Sequence, residues 1–405
     1  MKPDWKTESL GELCEFQRGL TYAKGDEVDV SDNVVLRATN IDLATNLLNF
    51  DELKYISDKV IVPDGKKVKK GSLMICTASG SKSHLGKVAY IDDDYNYAFG
   101  GFMGMVTPKN GLNSKYLFHL MTSPNYKNFI GELSDGANIN NLKFDDLKKF
   151  PVPHPPLPEQ RRVVGLLDKA FAGIATAQAN AEKNLQNARA LFESHLHSIF
   201  TQRGKGWAEK TLEEVADANC SLSYGIVQPG HEHLDGMPIV RPTDLTTKII
   251  RPDGLKRIDP KLAEGYKRTT LHGGELLLCV RGSTGVVSIA SPELIGANVT
   301  RGIVPIRFNN LLLTPDFGFY LINSEPVQSQ IREKTYGAAL MQINIRDLRK
   351  IALWLPSLKE QKEIAAKLDE LHEETQRLAS IYEQKLELLA ALKKSLLNEA
   401  FTGKL

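Results

Sequence analysis

Cysteine is scarce in this sequence. The four present, Cys14, Cys76, Cys220 and Cys279, stand far apart and form no C-x-x-C pair. That argues against a zinc or dithiol site and for reduced, buried thiols in a cytoplasmic protein. Long apolar runs are missing too: none approaches the ~18 residues of a membrane span, and the opening "MKPDWKTESLGE" lacks a signal-peptide core. Neither charge sign is in excess. The 51 basic and 49 acidic residues leave a net charge of +2, which excludes a uniformly basic coat but not local basic patches. With 42% apolar and 25% charged residues, the chain has the composition of a folded protein.

Catalytic signatures are also lacking. None of the nine histidines sits in H-E-x-x-H, and "HEH" at 231–233 reads as a solvated loop. "GSKSHLGKV" (80–88) has one residue too many for a P-loop and Val88 where a magnesium-binding Ser or Thr belongs. It reads as a hairpin, and "GGFMG" (100–104) as a tight bend. "PDG" at 63–65 and 252–254 is followed by no Glu-x-Lys on a neighbouring strand. Methyl-donor glycine and Asn/Asp-Pro-Pro-aromatic motifs are missing. The reading is a non-catalytic chain with no metal site.

What is there is a repeat. "LPEQRRVVGLLD" opens at Leu157 and "LKEQKEIAAKLD" at Leu358, 201 residues later. Four more matches fall in near register: Trp5 with "SLGEL" and Trp207 with "TLEEV"; "LRATNI" (36–41) and "VRPTDL" (240–245); "GSLMICTASGS" (71–81) and "GELLLCVRGS" (274–283); "GANINNL" (136–142) and "GAALMQINI" (337–345). Each half opens with roughly 150 residues of short strand-like runs such as "SLMIC", "KVAYI", "ELLLCV" and "GVVSIA", interrupted by helical patterns at "SKYLFHLMTS" and "PDFGFYLINS". A proline-bearing boundary and a long helical segment follow.

Both long segments carry a stripe at steps of three or four. The first runs Val164, Leu167, Phe171, Ile174, Gln178, Ala181, Leu185, Ala188, Phe192, Leu196; the second Ile364, Leu368, Leu371, Thr375, Leu378, Tyr382, Leu386, Leu389, Leu392, Leu396. The economical solution pairs them as an antiparallel coiled coil; the alternative packs each stripe on its own globe. The expected fold is α/β (α+β): two similar globes separated by two long antiparallel helices, with a pseudo-twofold internal repeat. The expected boundaries are 1–157 for the first globe, 158–203 for the central helix, 204–356 for the second globe and 357–405 for the C-terminal helix.

The remaining candidates are binding surface. In the first globe these are Lys66, Lys67, Lys69 and Lys70, then Ser79, Ser81, Lys82 and His84, then Asn138 and Asn140. The second offers Arg241, Arg281, Ser283, Thr284, Arg301, Gln342 and Asn344. Lys and Arg supply phosphate contacts, while Arg, Asn, Gln, Ser and Thr read base edges. Singly, each reads equally well as a solvated turn; their recurrence at equivalent loops favours DNA. On the helices, Val163, Leu166, Leu191 and Ile199, with Leu358, Ile381, Leu388 and Leu397, are apolar positions beyond the stripe. They form candidate strips for two copies of one partner.

The doubled "LPxxEQ…LD" helix start, the "G-x-L-L…RGS-x-G" loop and the terminal "EAFTGKL" resemble the specificity subunit of type I restriction–modification enzymes. The resemblance spans the whole chain. It implies two target-recognition domains, each reading half of a split double-stranded DNA site, with the helices as a ruler. It implies two methyltransferase subunits on the helices and restriction–translocase subunits in the full complex. S-adenosylmethionine, ATP and magnesium would belong to those partners and no cofactor to this chain, in a prokaryotic cytoplasm. One departure stands out: the first loop reads "TASGSKSHLG" and lacks the arginine of "RGS". A self-contained modification enzyme and a coiled-coil protein scaffold are the competing readings.

Overall fold

The computed structural model describes residues 5–79, 84–135, 141–220, 222–233, 235–337 and 341–405. The chain forms two compact units, one of Met1–Glu182 with Glu383–Leu405, the other of Lys183–Tyr382. The long helices are Leu157–Gln202, of 46 residues, and Leu358–Thr402, of 45. Each unit takes one end of each.

In the first unit the strands Cys14–Arg18, Met103–Pro108, Leu73–Cys76 and Val88–Tyr90 form an antiparallel sheet in that order. A second sheet runs Glu27–Val28, Lys54–Ile56, Asn33–Leu36, Ala98–Phe99, its last pair parallel. The unbroken apolar run "LMIC" has a structural reason. Leu73 and Ile75 face a core shared with Tyr116 and Leu120 of the helix Ser114–Thr122, while Met74 and Cys76 face a second core with Val34, Leu36 and Phe99. A strand covered on both faces has no position for a polar residue.

The second unit repeats this plan. Ile249–Ile250, Val287–Ala290, Leu276–Cys279 and Ile303–Ile306 form one sheet, and Lys256–Ile258, Met237–Val240 and Asn298–Val299 the other. Leu276 and Leu278 pack towards Phe317 and Tyr320 of the helix Pro315–Asn323; Leu277 and Cys279 pack towards Val240 and Val299. The short-helix expectation holds in both units; around the hairpin expected at 80–88, Leu73–Cys76 and Val88–Tyr90 pair antiparallel, while residues 80–83 lie outside the described residues. All four cysteines are free, and burial pushes the Cys14 thiol up to about 12 and Cys279 to about 11.

The helices run antiparallel within each unit. In the first, Val163, Val164 and Leu167 share a core with Leu397, Ala400 and Phe401, and Lys393 lies 5.2 Å over the Phe171 ring. In the second, Leu196 and Phe200 share a core with Ala365 and Leu368, and Phe192 meets His372 at 4.9 Å between ring centroids. In each unit, then, side chains of the two helices meet across the pair. Both packing alternatives therefore operate, since the helix ends also complete the globe cores. Leu392, expected in the seam, is instead 46% exposed.

The doubled Glu-Gln has a structural role. Gln160 is fully buried; its Nε2 donates to the carbonyls of Gly111 (2.9 Å) and Pro155 (2.8 Å), and its Oε1 accepts from the Asn113 amide (2.7 Å). Gln361 does the same with Leu312 (2.8 Å), Pro356 (3.1 Å) and the Thr314 amide (3.0 Å). Each glutamine rivets a helix start to the loop before the short helix of its unit. Gln160→Ala or Gln361→Ala would remove the side-chain partner of three backbone groups at a helix start, and a loss of about 2 kcal/mol or more is expected. Denaturant unfolding measures it; a loss below ~1 kcal/mol would contradict the rivet. The Asp that closes each motif is also employed. Asp168 accepts from His119 (2.8 Å) and Lys115 (3.1 Å), and Asp369 from Tyr320 and Lys248.

Candidate nucleic-acid interface

Close backbone approach builds the candidate surface of each unit. A Cβ on Gly19 would lie 1.9 Å from the Gly100 carbonyl oxygen, and one on Gly225 2.0 Å from that of Val299. Only glycine lets these segments dock, which sets Tyr22 and Tyr224 beside the tips of the sheets.

In the second unit the loop after Leu276–Cys279 turns at Gly282 (φ 87°) and Gly285 (φ 98°). Arg281 forms a β-bridge with Gln342, the Gly282 amide donates to Met341 (2.8 Å), and the Thr284 hydroxyl reaches the same carbonyl (3.3 Å). The Val280 amide donates to Gly302 (2.8 Å), which fixes the neighbouring Arg301. Candidates 60 residues apart in sequence thus share one surface: Arg281, Thr284 and Gln342 half-buried, Ser283 and Arg301 exposed. Tyr224 joins them, its hydroxyl donating to Ile343 (3.2 Å). Two other candidates are spent locally. Arg241 makes a two-pronged pair with Asp244 (2.8 and 3.1 Å), which raises its pKa. Asn344 starts the helix Ile345–Arg349 and donates to Asp347 (3.1 Å).

The first unit uses the same frame. Ala78 bridges Asn141, the Leu142 amide donates to Thr77 (2.6 Å), and the amides of Thr77 and Ala78 donate to Phe102 (2.9 and 3.1 Å). The turn "GGFMG" is the tight bend expected, and it carries Phe102 at 74% exposure. By strand register Phe102 corresponds to Gly302, so this tip shows an aromatic ring where the other shows Arg301. Ser79 lines the adjoining groove. Ser81, Lys82, Asn138 and Asn140 lie outside the described residues. His84 is half-buried, with Nδ1 enclosed and unpaired. The lysine run is less available than its sequence suggests. Lys66 donates to the Arg18 carbonyl (2.9 Å), Lys67 pairs with Asp64 (3.3 Å) and Lys70 with Asp93 (3.5 Å), while Lys69 is exposed.

Two residues that the sequence reading did not single out, Arg37 and Phe102, also line the groove beside Ser79. Phe102 lay in a glycine cluster read as a bend and nothing more. Arg37 lay in a matched motif whose informative difference was Asn40 against Asp244.

On the helices, the expected apolar strips are only partly there. Leu166 (44%), Leu191 (51%), Ile381 (47%) and Leu388 (70%) are exposed. Val163 and Leu397 are not: at 0% and 4% they belong to the first unit's core, because the globe covers the helix ends. Ile199 packs against the second unit's core, and Leu358 is half-buried in the first helical turn. Among the described residues no group of His, Cys, Asp or Glu is arranged to hold a metal, and no helix is long and apolar enough to cross a membrane.

A family model described as the type I restriction modification DNA specificity domain matches residues 2–186 and again 204–387. The EcoBI specificity subunit of Escherichia coli is 23% identical over 315 residues, 72% of this chain and 66% of that protein, just under two thirds of its length. The EcoKI specificity subunit of E. coli K12 is 24% identical over 99% of this chain and 89% of its own. A chain from a structure on assembly and conformational transition of the type I restriction–modification system superposes with a TM-score of 0.77 at 19% identity, covering 100% of this chain and 99% of that one.

Proposed function

The chain belongs to the type I restriction–modification DNA specificity family, and from that premise we propose that it is the non-catalytic subunit that chooses the DNA sequence. Each unit reads one half of a bipartite site. The long helices set the spacing and dock two methyltransferase subunits, with restriction–translocase subunits completing the complex. S-adenosylmethionine, ATP and magnesium act on those partners, in a prokaryotic cytoplasm.

The observation that carries this reading is a shared frame with unlike tips. Both units hold a loop, a turn and a return segment with the same backbone bonds, yet one tip offers Phe102 and the other Arg301 and Arg281. Equal frames suit one task performed twice, and unequal tips suit an asymmetric target. Ser79 and Lys69 in the first unit, and Arg281, Ser283, Thr284, Arg301 and Gln342 in the second, are the DNA-facing residues of this proposal. The test is exchange of residues 1–157 for those of a relative, followed by mapping of methylated sites across the host genome. One half of the recognised sequence should change and the other stay. Change in both halves would refute independent reading.

A further inference from the structure

We propose that Arg37 reads a guanine of the first half-site, with the Phe102 ring packed beside that base pair. The inference rests on the specificity reading above. Arg37 follows the strand Asn33–Leu36, as Arg241 follows Met237–Val240. Both arginines open a tight turn in which the residue three positions on accepts their amide: Asn40 for Arg37 (2.8 Å), Asp244 for Arg241 (2.7 Å). Asp244 then goes on to neutralise its arginine. Asn40 carries no charge, and its side-chain amide is turned away to the carbonyls of Asn49 and Glu52, both at 2.9 Å. The turn is kept and the counter-ion is lost.

The result is a half-buried arginine whose Nε is enclosed and has no hydrogen-bond partner. Such groups are rare in folded proteins because they cost stability, and the missing local acceptor leaves the guanidinium to be held by a ligand in the groove. Arg37 lines a groove of about 590 Å³ with Tyr22, Thr39, Ser79 and Phe102. Glu27 at its rim is already paired with Lys54. Phe102 stands 74% exposed, although its carbonyl accepts three bonds, from the amides of Thr77 and Ala78 and the Thr77 hydroxyl. What makes the ring a candidate contact is its place on the same groove as Arg37. The planar guanidinium fork presents two parallel donors to the O6 and N7 acceptors of guanine in the major groove, which an ammonium reaches only as a point charge with less geometric constraint.

The experiment selects duplexes from a pool with randomised positions, using the full chain as wild type, Arg37→Ala, Arg37→Lys and Phe102→Ala. Wild type should enrich a bipartite motif. Arg37→Ala should lose a guanine preference at one position of one half, keep the other half, and bind the wild-type sequence about tenfold to hundredfold more weakly, while Arg37→Lys should keep part of that preference. Phe102→Ala, a surface change that leaves the fold alone, should relax an adjacent position in the same half. If Arg37→Ala binds more weakly yet selects the wild-type motif, Arg37 holds a phosphate and the base reading is overturned. An unchanged motif and affinity for Arg37→Ala overturns it as well, and the same result for Phe102→Ala removes the ring. A wild type that enriches no motif would bring down the specificity reading itself, a separate outcome.

Discussion

Leu191→Asp together with Leu388→Asp is expected to abolish assembly with methyltransferase subunits and to leave the fold intact. Both side chains lie on the long helices, 51% and 70% exposed, on faces that neither the seam nor a globe covers. Surface changes of this kind usually shift stability by no more than ~0.5 kcal/mol. At an interface the same change is severe. Each leucine forfeits about 2 kcal/mol of apolar burial, and each carboxylate must be desolvated without a partner. A combined loss above ~4 kcal/mol weakens association about a thousandfold. Sedimentation of the mixed subunits decides the matter. A variant that still takes up two methyltransferases would move their docking site to the globes. Val163→Asp is the informative contrast: that position is fully buried in the first unit's core, so the variant should fail to fold.

A longer ruler should read a longer site, provided both helices are lengthened together. The two units divide beside Glu182 on the first helix and Tyr382 on the second. A two-turn insert after each of these residues preserves both apolar stripes and adds ~10 Å to the helix pair. At ~3.4 Å per base pair the spacer between half-sites should grow by about three base pairs. Methylation mapping reads this directly, and an active variant that kept its original spacer would end the ruler idea. An insert in one helix alone should cost stability, because it slides one stripe past the other over half the seam.

The elements were largely legible in the sequence, and their environments were not. Apolar runs gave the strands because a doubly covered strand tolerates no polar side chain, and the three-four stripes gave the helices. Nothing in a helical repeat tells whether Val163 faces a partner or its own globe, since that depends on where residues such as Trp5 and Tyr116 close in space. The surroundings of the lysine run are a similar case. Its charge is visible in sequence, as is Asp64 three residues before Lys67, but the approach of Asp93 to Lys70 comes only on folding. Arg37 is the converse, a charge whose missing partner shows only against the folded counterpart. The nearness of Arg281 to Gln342 depends on a bridge between distant segments, which repetition hinted at and could not locate.

One buried pair bears on how such a gene can be shuffled. Glu275, 1% exposed, is bonded to Arg307 (3.3 Å) in the second unit, where the first unit places Ser72 against Thr107 (2.9 Å). The two solutions do not interchange: Glu opposite Thr leaves a carboxylate without its counter-ion in the core, at a cost of about 3–5 kcal/mol, while Ser opposite Arg leaves the half-buried Arg307 without its acceptor. Recombination between the two halves of one gene with a breakpoint between the codons of these partners would unite mismatched residues and destabilise the hybrid. Breakpoints within the helix-coding stretches move each pair intact. New DNA specificities would then spread most readily as whole cassettes, because hybrids cut between the paired strands carry the mismatch in their own cores.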